Sequence, residues 1–235
     1  MLYLSSLVVD GRCREARGDL GNCQALHRRV LHAFPDEGGV TAAREEFGVL
    51  YRVEPVDGGA RILVQSRERP DWSRLPAGYL RGAVAGPKQV DEAYARLAAG
   101  DELVFRLRAN PTRRISNRNM SAEEKWRGKR VDIRGEDAQI AWLREKGKAA
   151  GFVLLAVRSH PDARDSDETS DVRTIQVAGR VTGGGRENHL TFASVTFEGR
   201  LRVINPDTFR EALWHGIGSG KAFGFGLLSI APITT

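Results

Sequence analysis

The stretch Gly216-Ile217-Gly218-Ser219-Gly220-Lys221-Ala222-Phe223-Gly224-Phe225-Gly226 places five glycines and one lysine immediately before the apolar run Leu227-Leu228-Ser229-Ile230. Glycine adopts positive φ without strain and lets the backbone approach a ligand closely. Successive amide N–H groups in such a turn can hold phosphate oxygens, and Lys221 adds a positive charge. We call residues 216–226 the glycine loop, and the pattern predicts a phosphate-binding turn. A plain packing turn is the alternative.

Two commoner glycine motifs fail on position. A Walker A loop ending in Gly220-Lys221 would need glycine at position 215 and serine or threonine at position 222, where the chain has His215 and Ala222. The dinucleotide fingerprint would need glycine at position 221, 223 or 229, and none stands there. The sequence therefore argues against a nucleotide-dependent enzyme.

The net charge of +6 comes from one segment of the chain. Between Arg106 and Arg134, ten basic residues stand against three acidic ones, so the remainder is close to neutral. Asn110-Pro111 and Gly128 prevent this segment from being one regular helix. A solvated face is one interpretation, and a polyanion-binding segment is the other. The candidates for phosphate contacts are Arg108, Arg113, Arg114, Arg118, Arg127, Lys129 and Arg130.

Length and composition predict a protein with a sizeable core. The 235 residues, 41% of them hydrophobic, allow one large domain or two of about 100 residues each, and we expect two. No apolar run approaches the roughly 20 residues that span a bilayer, and the start of the chain lacks a basic leader. Two cysteines, Cys13 and Cys23, are too few for a disulfide framework and are ordinary in a reducing cytosol. We therefore expect a cytoplasmic protein with no membrane partner.

The order strand, helix, strands occurs twice along the chain. We expect strands at 2–9, 47–55, 60–67, 102–109, 152–157, 173–181, 190–197, 200–204 and 227–232, with a hairpin tip at 183–185. Helices are expected from Asp19 to about Phe34, at 136–149, and from a cap at Asn205 or Asp207 to about Gly216. This order predicts an α+β fold of two tandem ferredoxin-like (RRM-like) domains, at 1–85 and 101–235 with a linker at 86–100.

His27 is the candidate for proton transfer, because imidazole titrates near neutral pH. On a helical wheel it falls among apolar residues such as Leu20 and Val30, so a buried, hydrogen-bonded core histidine is the alternative. Cys23 and His27 are four residues apart on the predicted helix. No second ligand pair completes a zinc site with them, and no oxyanion loop is evident nearby. We therefore expect neither a metal nor another cofactor.

Seven segments, in collinear order over nearly the whole chain, carry a resemblance to a known family. They are Leu7-Val8-Val9, Asp19-Leu20-Gly21-Asn22 with His27-Arg28, Pro70-Asp71-Trp72-Ser73, Val104-Phe105-Arg106-Leu107-Arg108-Ala109-Asn110-Pro111, Gly128-Lys129-Arg130-Val131, Phe197-Glu198-Gly199-Arg200-Leu201, and the glycine loop with Leu227-Leu228-Ser229. Together they resemble the CasE family, the CRISPR repeat-processing endoribonucleases of the type I-E Cascade system.

The resemblance implies two ferredoxin-like domains and metal-independent cleavage at the 3′ base of the CRISPR repeat hairpin in precursor RNA. The RNA's own 2′-hydroxyl would attack the adjacent phosphate and leave a 2′,3′-cyclic phosphate. The product would stay bound, with other Cascade subunits as partners. His27 matches the family's catalytic histidine, whereas Gln24 stands where related sequences often carry a tyrosine and cannot shuttle a proton as tyrosine does.

The remaining site expectations concern positive charge. Arg180 is the expected charge stabiliser at the scissile phosphate, and Arg28 lies beside His27. In the glycine loop, Gly218, Gly220 and Lys221 are expected to hold the RNA backbone near the 3′ side of the hairpin. The rival hypothesis is a non-catalytic RNA-hairpin-binding subunit of a ribonucleoprotein, with the same basic segment but a buried His27.

Overall fold

A computed structural model describes residues 1–35, 44–115, 130–161, 174–180 and 187–233, with the backbone alone at 160–161, 174–180 and 187–191. The helices are α1 (Arg14–Leu20), α2 (Cys23–Leu31), α3 (Asp91–Ala95), α4 (Glu136–Ala149) and α5 (Pro206–His215). The strands are β1 (Tyr3–Asp10), β2 (Leu50–Val56), β3 (Gly59–Ser66), β4 (Ala85–Gln89), β5 (Glu102–Ala109), β6 (Thr112–Arg114), β7 (Arg130–Asp132), β8 (Phe152–Pro161), β9 (Thr174–Arg180), β10 (Glu187–Ala193), β11 (Val195–Val203) and β12 (Leu228–Pro232).

Two four-stranded sheets carry the fold. The first has the order β2-β3-β1-β4 and the second the order β12-β5-β11-β8. Every neighbouring pair in both sheets is antiparallel. When the strands of each sheet are counted in chain order, both sheets have the same arrangement, with the first and third strands in the centre. The expected α+β fold of two tandem ferredoxin-like domains is confirmed.

The first helical region differs from the expected single helix. Asn22 interrupts it and begins α2, because its side-chain oxygen accepts hydrogen bonds from the amides of Gln24 and Ala25 at 3.0 Å. Asp19 is therefore not the cap: it lies inside α1, and its carboxylate accepts a hydrogen bond from Arg29 Nε at 2.6 Å. This ion pair joins the two helices, and α2 ends before Phe34.

Residues 86–100, expected as a linker, include regular structure. Strand β4 pairs with β1, with Gln89 opposite Tyr3, so the first sheet extends past residue 85. Helix α3 follows it. Between β3 and β4 a short 3-10 turn at Trp72–Arg74 stands where a ferredoxin-like unit usually has its second helix. The division into 1–85, 86–100 and 101–235 stays a prediction, with β4 lying across its first boundary.

The break between the two strands expected at 190–197 and 200–204 lies at a different residue. Gly199 suggests a break, but β11 runs through it, and a Cβ there would lie 1.9 Å from the carbonyl oxygen of Ala156 on the neighbouring strand. The glycine thus permits close strand contact, and the break falls at Ser194 instead. Helix α4 is confirmed, and Asn205 caps α5 by accepting the Thr208 amide at 3.1 Å. The expected hairpin tip at 183–185 lies outside the described residues.

Contacts between the two sheets position the glycine loop. Gln65 of β3 donates through Nε2 to the carbonyl oxygen of Leu213 in α5 at 2.7 Å. The Tyr51 hydroxyl of β2 donates to the carbonyl oxygen of Ala222 at 2.9 Å. Arg52, only 4% exposed, bonds to main-chain and side-chain oxygens of β5 and β12 and of the residue just before β12. The first sheet therefore holds both the start and the end of the loop.

Candidate functional site

The glycine loop has the backbone that its sequence predicts. All five glycines have positive φ, from 72° at Gly216 to 90° at Gly226. All five are also tightly packed; for example, a Cβ on Gly218 would lie 3.2 Å from the Trp142 ring, and one on Gly220 would lie 2.9 Å from Phe225. The loop therefore requires glycine for its positive φ angles and for its close contacts with neighbouring residues.

Three consecutive amides of the loop take no part in its own hydrogen bonding. The ends of the loop are fixed, because the Ile217 amide donates to the carbonyl oxygen of Gly226 at 2.9 Å and the Gly226 amide to that of Arg108 at 2.8 Å. In the part of the chain that the structure describes, the amides of Gly218, Ser219 and Gly220 have no acceptor. Free consecutive amides of this kind bind phosphate oxygens.

Replacing Gly220 with alanine should cost more stability than the same change at Gly78. Both glycines have φ of 72°, so a positive φ does not distinguish them. A Cβ at Gly78 meets nothing within 4 Å, whereas one at Gly220 meets Phe225. Overpacking adds on the order of 1 kcal/mol, so urea unfolding should show Gly220→Ala less stable than Gly78→Ala by that amount. Equal losses would contradict the packing described above.

His27 lies on α2, facing the loop. Its side chain is 8% exposed, and its ring centroid is 6.3 Å from that of Phe223 in an edge-on arrangement. Its burial agrees with the alternative of a core histidine. Among the described residues, however, Nδ1 has no hydrogen-bond partner. A buried polar atom without a partner is uncommon in a core that has only a structural role.

The surroundings of His27 keep its ring neutral. Burial lowers the pKa of His27 to about 4, and the positive charge of Arg44 acts in the same direction. At neutral pH the imidazole is therefore unprotonated and can accept a proton.

Acidification should destabilise the protein through His27. The unfolded state, with an ordinary histidine pKa, binds a proton between pH 6.5 and 4, whereas the folded state excludes it. Between pH 7 and 4.5 the wild type should lose about 2 kcal/mol more unfolding free energy than His27→Leu. Urea titrations of both proteins at the two pH values measure this difference. Parallel losses would show that His27 takes up its proton equally in both states.

Positive charges gather around the histidine and the loop. Lys221 is half-buried, and burial lowers its pKa, with smaller contributions from the charges of Arg44 and Lys146. Arg44 also contacts the exposed carboxylate of Glu45 at 3.2 Å. Arg28 follows His27 on α2 and is exposed. An anion placed between these groups would gain from all of them.

A basic ribbon adjoins the loop. Strands β6 and β7 pair antiparallel, with Arg114 opposite Arg130 and Arg113 opposite Val131, and all three arginines are exposed. The ribbon contacts the glycine loop, because the hydroxyls of Thr112 and Ser219 are 3.3 Å apart. The other candidates of the basic segment, Arg118, Arg127 and Lys129, lie outside the described residues.

Two predicted site residues are placed differently from the rest. Arg108 is 7% exposed, donates from Nε to the Ser194 hydroxyl at 2.9 Å, and lies 5.0 Å over the Phe225 ring. This geometry makes it a support for the loop and leaves little of it for an RNA phosphate. Arg180 ends β9, which lies against α2, and the structure describes its backbone alone.

Sequence reasoning missed several residues of this site. Arg44 is followed by Glu45 and Glu46, a pair that suggests only a solvated face. Tyr51 and Lys146 come from distant elements, and no sequence pattern around them marks them as site residues. Phe223 could have been predicted, because it is an aromatic residue inside the glycine loop.

The described ranges contain neither a cluster of metal ligands nor a membrane-spanning helix. No three histidine, cysteine, aspartate or glutamate side chains in these ranges could together hold a metal ion. No described helix is long and apolar enough to cross a membrane.

Two ferredoxin-like domains that bring free amides, cations and a neutral histidine together are typical of a protein that binds RNA. The sequence model of the family described as CRISPR associated protein matches residues 2–232, and the chain belongs to this family. Together with the relatives Cse3 and CasE, this match confirms the resemblance to the CasE family.

Individual relatives match over their full length. The chain is 35% identical to CRISPR-associated endoribonuclease Cse3 of Thermus thermophilus, covering 98% of this chain and 100% of the relative. It is 30% identical to the Cascade subunit CasE of Escherichia coli, covering 99% and 100%. A solved structure of Cse3 bound to a 19-nucleotide RNA superposes with a TM-score of 0.76 at 33% identity, covering 99% and 100%.

Proposed function

We propose that this protein is the endoribonuclease that binds the CRISPR repeat hairpin in precursor RNA, cleaves it at its 3′ base and retains the product as a Cascade subunit. The names and the RNA-bound structure of its full-length relatives support the substrate and the assembly. The observation that carries the activity is the buried His27, whose Nδ1 has no partner in the described residues, beside a loop with free amides. Because Cys13 and Cys23 are free thiols, the cytoplasm is the proposed compartment.

His27 would act on the RNA's own nucleophile. The 2′-hydroxyl oxygen forms a bond to the adjacent phosphorus as the bond to the 5′-oxygen breaks, giving a 2′,3′-cyclic phosphate and a 5′-hydroxyl. The proton of the 2′-hydroxyl passes to the neutral imidazole, and the departing 5′-oxygen takes up a proton from solvent water. The imidazole is unprotonated at neutral pH and its Nδ1 has no partner in the described residues, and the negative charge of a bound phosphate would raise its pKa toward the operating pH.

The cations would stabilise the phosphate as negative charge builds on it. The amides of Gly218 and Gly220 would bind its oxygens, and Lys221 with Arg44 would add charge in a half-buried setting where electrostatic interactions are strong. Arg180 stays a proposed member of this group, since its strand lies against α2. Arg28 would contact the neighbouring backbone.

The basic ribbon would hold the stem. An A-form helix hides base edges in its deep major groove, so charge and shape dominate affinity. Exposed Arg113, Arg114 and Arg130 can reach phosphates from the surface of the ribbon. Arg118, Arg127 and Lys129 extend the same proposal along the basic segment.

Removing ribbon arginines should weaken the salt dependence of hairpin binding. Each lost phosphate contact lowers the slope of log K against log salt by roughly 0.7 to 0.9, so Arg113→Ala with Arg114→Ala should lower it by about 1.5. Titrations from low to high salt measure the slope. Arg96→Ala is the matched control, because Arg96 is also exposed but pairs with Glu92 on α3. An unchanged slope in the double variant would remove the ribbon from the RNA interface.

The direct test is incubation with a repeat hairpin RNA in excess EDTA, followed by identification of the product ends. We expect one cut at the 3′ base with a 2′,3′-cyclic phosphate, and no cut when the scissile nucleotide carries a 2′-deoxyribose. Binding without cleavage would favour the non-catalytic subunit. Cleavage of the 2′-deoxy substrate would rule out attack by the RNA's own hydroxyl.

A further inference from the structure

A groove of about 340 Å³ lies between α3 and α5. Trp214 lines it and is 37% exposed, so part of a large apolar side chain is open to solvent there. Tyr94 forms part of the groove and is 8% exposed, so an apolar surface lies at its base. None of its lining residues belongs to the cluster around His27.

The charge of this groove is opposite to that of the whole protein. Three carboxylates, those of Asp91, Asp207 and Glu211, line it together with one guanidinium, that of Arg210. Arg210 is already engaged, since it pairs with Asp207 and donates from Nη1 to the carbonyl oxygen of Leu97 at 3.0 Å. In a protein of net charge +6, an acidic groove repels RNA and attracts a basic group.

Hydrogen bonds hold the two walls of the groove in place. The Leu2 amide donates to Asp91 Oδ1 at 2.7 Å, and the Arg210 bond ties α5 to the segment after α3. Behind the groove, Gln65 donates to the carbonyl oxygen of Leu213 at 2.7 Å. The surface is thus formed before any partner arrives, which lowers the cost of binding.

We propose that this groove is the docking site for a basic segment of another Cascade subunit, in which an arginine or lysine flanks an apolar side chain. The apolar side chain covers Trp214, and the cation lies over the indole face and beside Glu211. The side chain of Glu211 is 69% exposed and contacts that of His215 at 3.1 Å, so its carboxylate is accessible. The inference rests on the proposed role as a Cascade subunit and adds where the protein contact is made.

The experiment measures binding of the fluorescently labelled full-length protein to the other Cascade subunits, assembled on a guide RNA that lacks the hairpin. Without the hairpin, only protein contacts can retain the chain. Glu211→Lys and Trp214→Ser should each weaken binding at least tenfold. The matched controls are Glu145→Lys, exposed on α4, and Ile204→Ser, 55% exposed before α5, and both should bind like wild type.

Cleavage of the isolated hairpin serves as the fold control, and all four variants should cut at the wild-type rate. Equal binding by groove variants and controls would overturn the inference, as would a wild-type protein that cleaves but fails to bind the hairpin-free assembly. A Glu211→Lys variant that gains affinity for hairpin RNA would mark the groove as an RNA surface and also overturn it. A wild-type protein that dimerises through the groove would assign it to a second copy and overturn it too. Failure of the proposed function is distinct, since the wild type would then not cleave.

Discussion

Replacing His27 with leucine should lower the single-turnover cleavage rate by about 10²- to 10⁴-fold, the range that one proton-transfer group contributes. Hairpin binding should stay within about twofold, because phosphate contacts supply most of the affinity. Stability should not fall. The imidazole is buried and Nδ1 has no partner in the described residues, so an apolar side chain of similar size removes an unsatisfied polar atom. We expect about 1 kcal/mol of added unfolding free energy at neutral pH.

Opposite changes in activity and stability separate a catalytic histidine from a structural one. A structural role predicts that stability and cleavage fall together in His27→Leu. His32→Ala is the matched control, since His32 follows α2 and is exposed, so this variant should cleave at the wild-type rate. Single-turnover kinetics, hairpin titration and urea unfolding measure the three quantities. Cleavage by His27→Leu within about threefold of wild type, well short of what a proton-transfer group contributes, would exclude the histidine from the reaction.

The local patterns of this sequence predict the structure well where one residue type has one physical use. Positive φ at Gly218 and Gly220 follows from glycine alone, and the burial of His27 follows from its helical neighbours. The order strand, helix, strands occurs twice and predicts both sheets, because alternating apolar residues allow few other arrangements. These features depend on residues that are close in the chain.

The sequence-based expectations that the structure contradicts fail for a different reason. Gly199 and Asp19 both resemble the ends of elements, yet one permits strand contact with Ala156 and the other pairs with Arg29. Arg108 resembles Arg106 in sequence and lies on the same face of β5, but contacts with Ser194 and Phe225 bury it. In each case a tertiary partner decides the role, and the sequence does not display that partner. The same reason explains why Arg44 was missed.

Replacing Arg52 with methionine should lower the free energy of unfolding by about 3 kcal/mol, because three oxygens lose a buried charged donor at once and each such loss costs about 1 kcal/mol or more. Arg52 is 4% exposed, and its Nε donates to Glu54 at 2.8 Å. Its Nη1 lies within 3.3 Å of two carbonyl oxygens, those of Arg106 and Leu227, and 2.8 Å from the Ser229 hydroxyl. Methionine keeps the volume but donates nothing, so these oxygens lose a buried donor.

The change also reaches the site, because Leu227 and Ser229 closely follow the glycine loop. Loss of the Arg52 bonds frees the end of the loop from the first sheet, so hairpin cleavage should fall as well, even where the protein is still folded. Arg202→Met is the matched control: Arg202 also pairs with a glutamate, Glu102, but is 47% exposed, and surface pairs of this kind contribute about 1 kcal/mol or less. Urea unfolding and single-turnover cleavage of both variants measure the difference.

A cost for Arg52→Met no larger than for Arg202→Met would mean that the contact between the sheets does not depend on this guanidinium. A stability loss with normal cleavage would mean that Tyr51 and the Gly226 amide are sufficient to hold the loop, since their bonds do not involve Arg52.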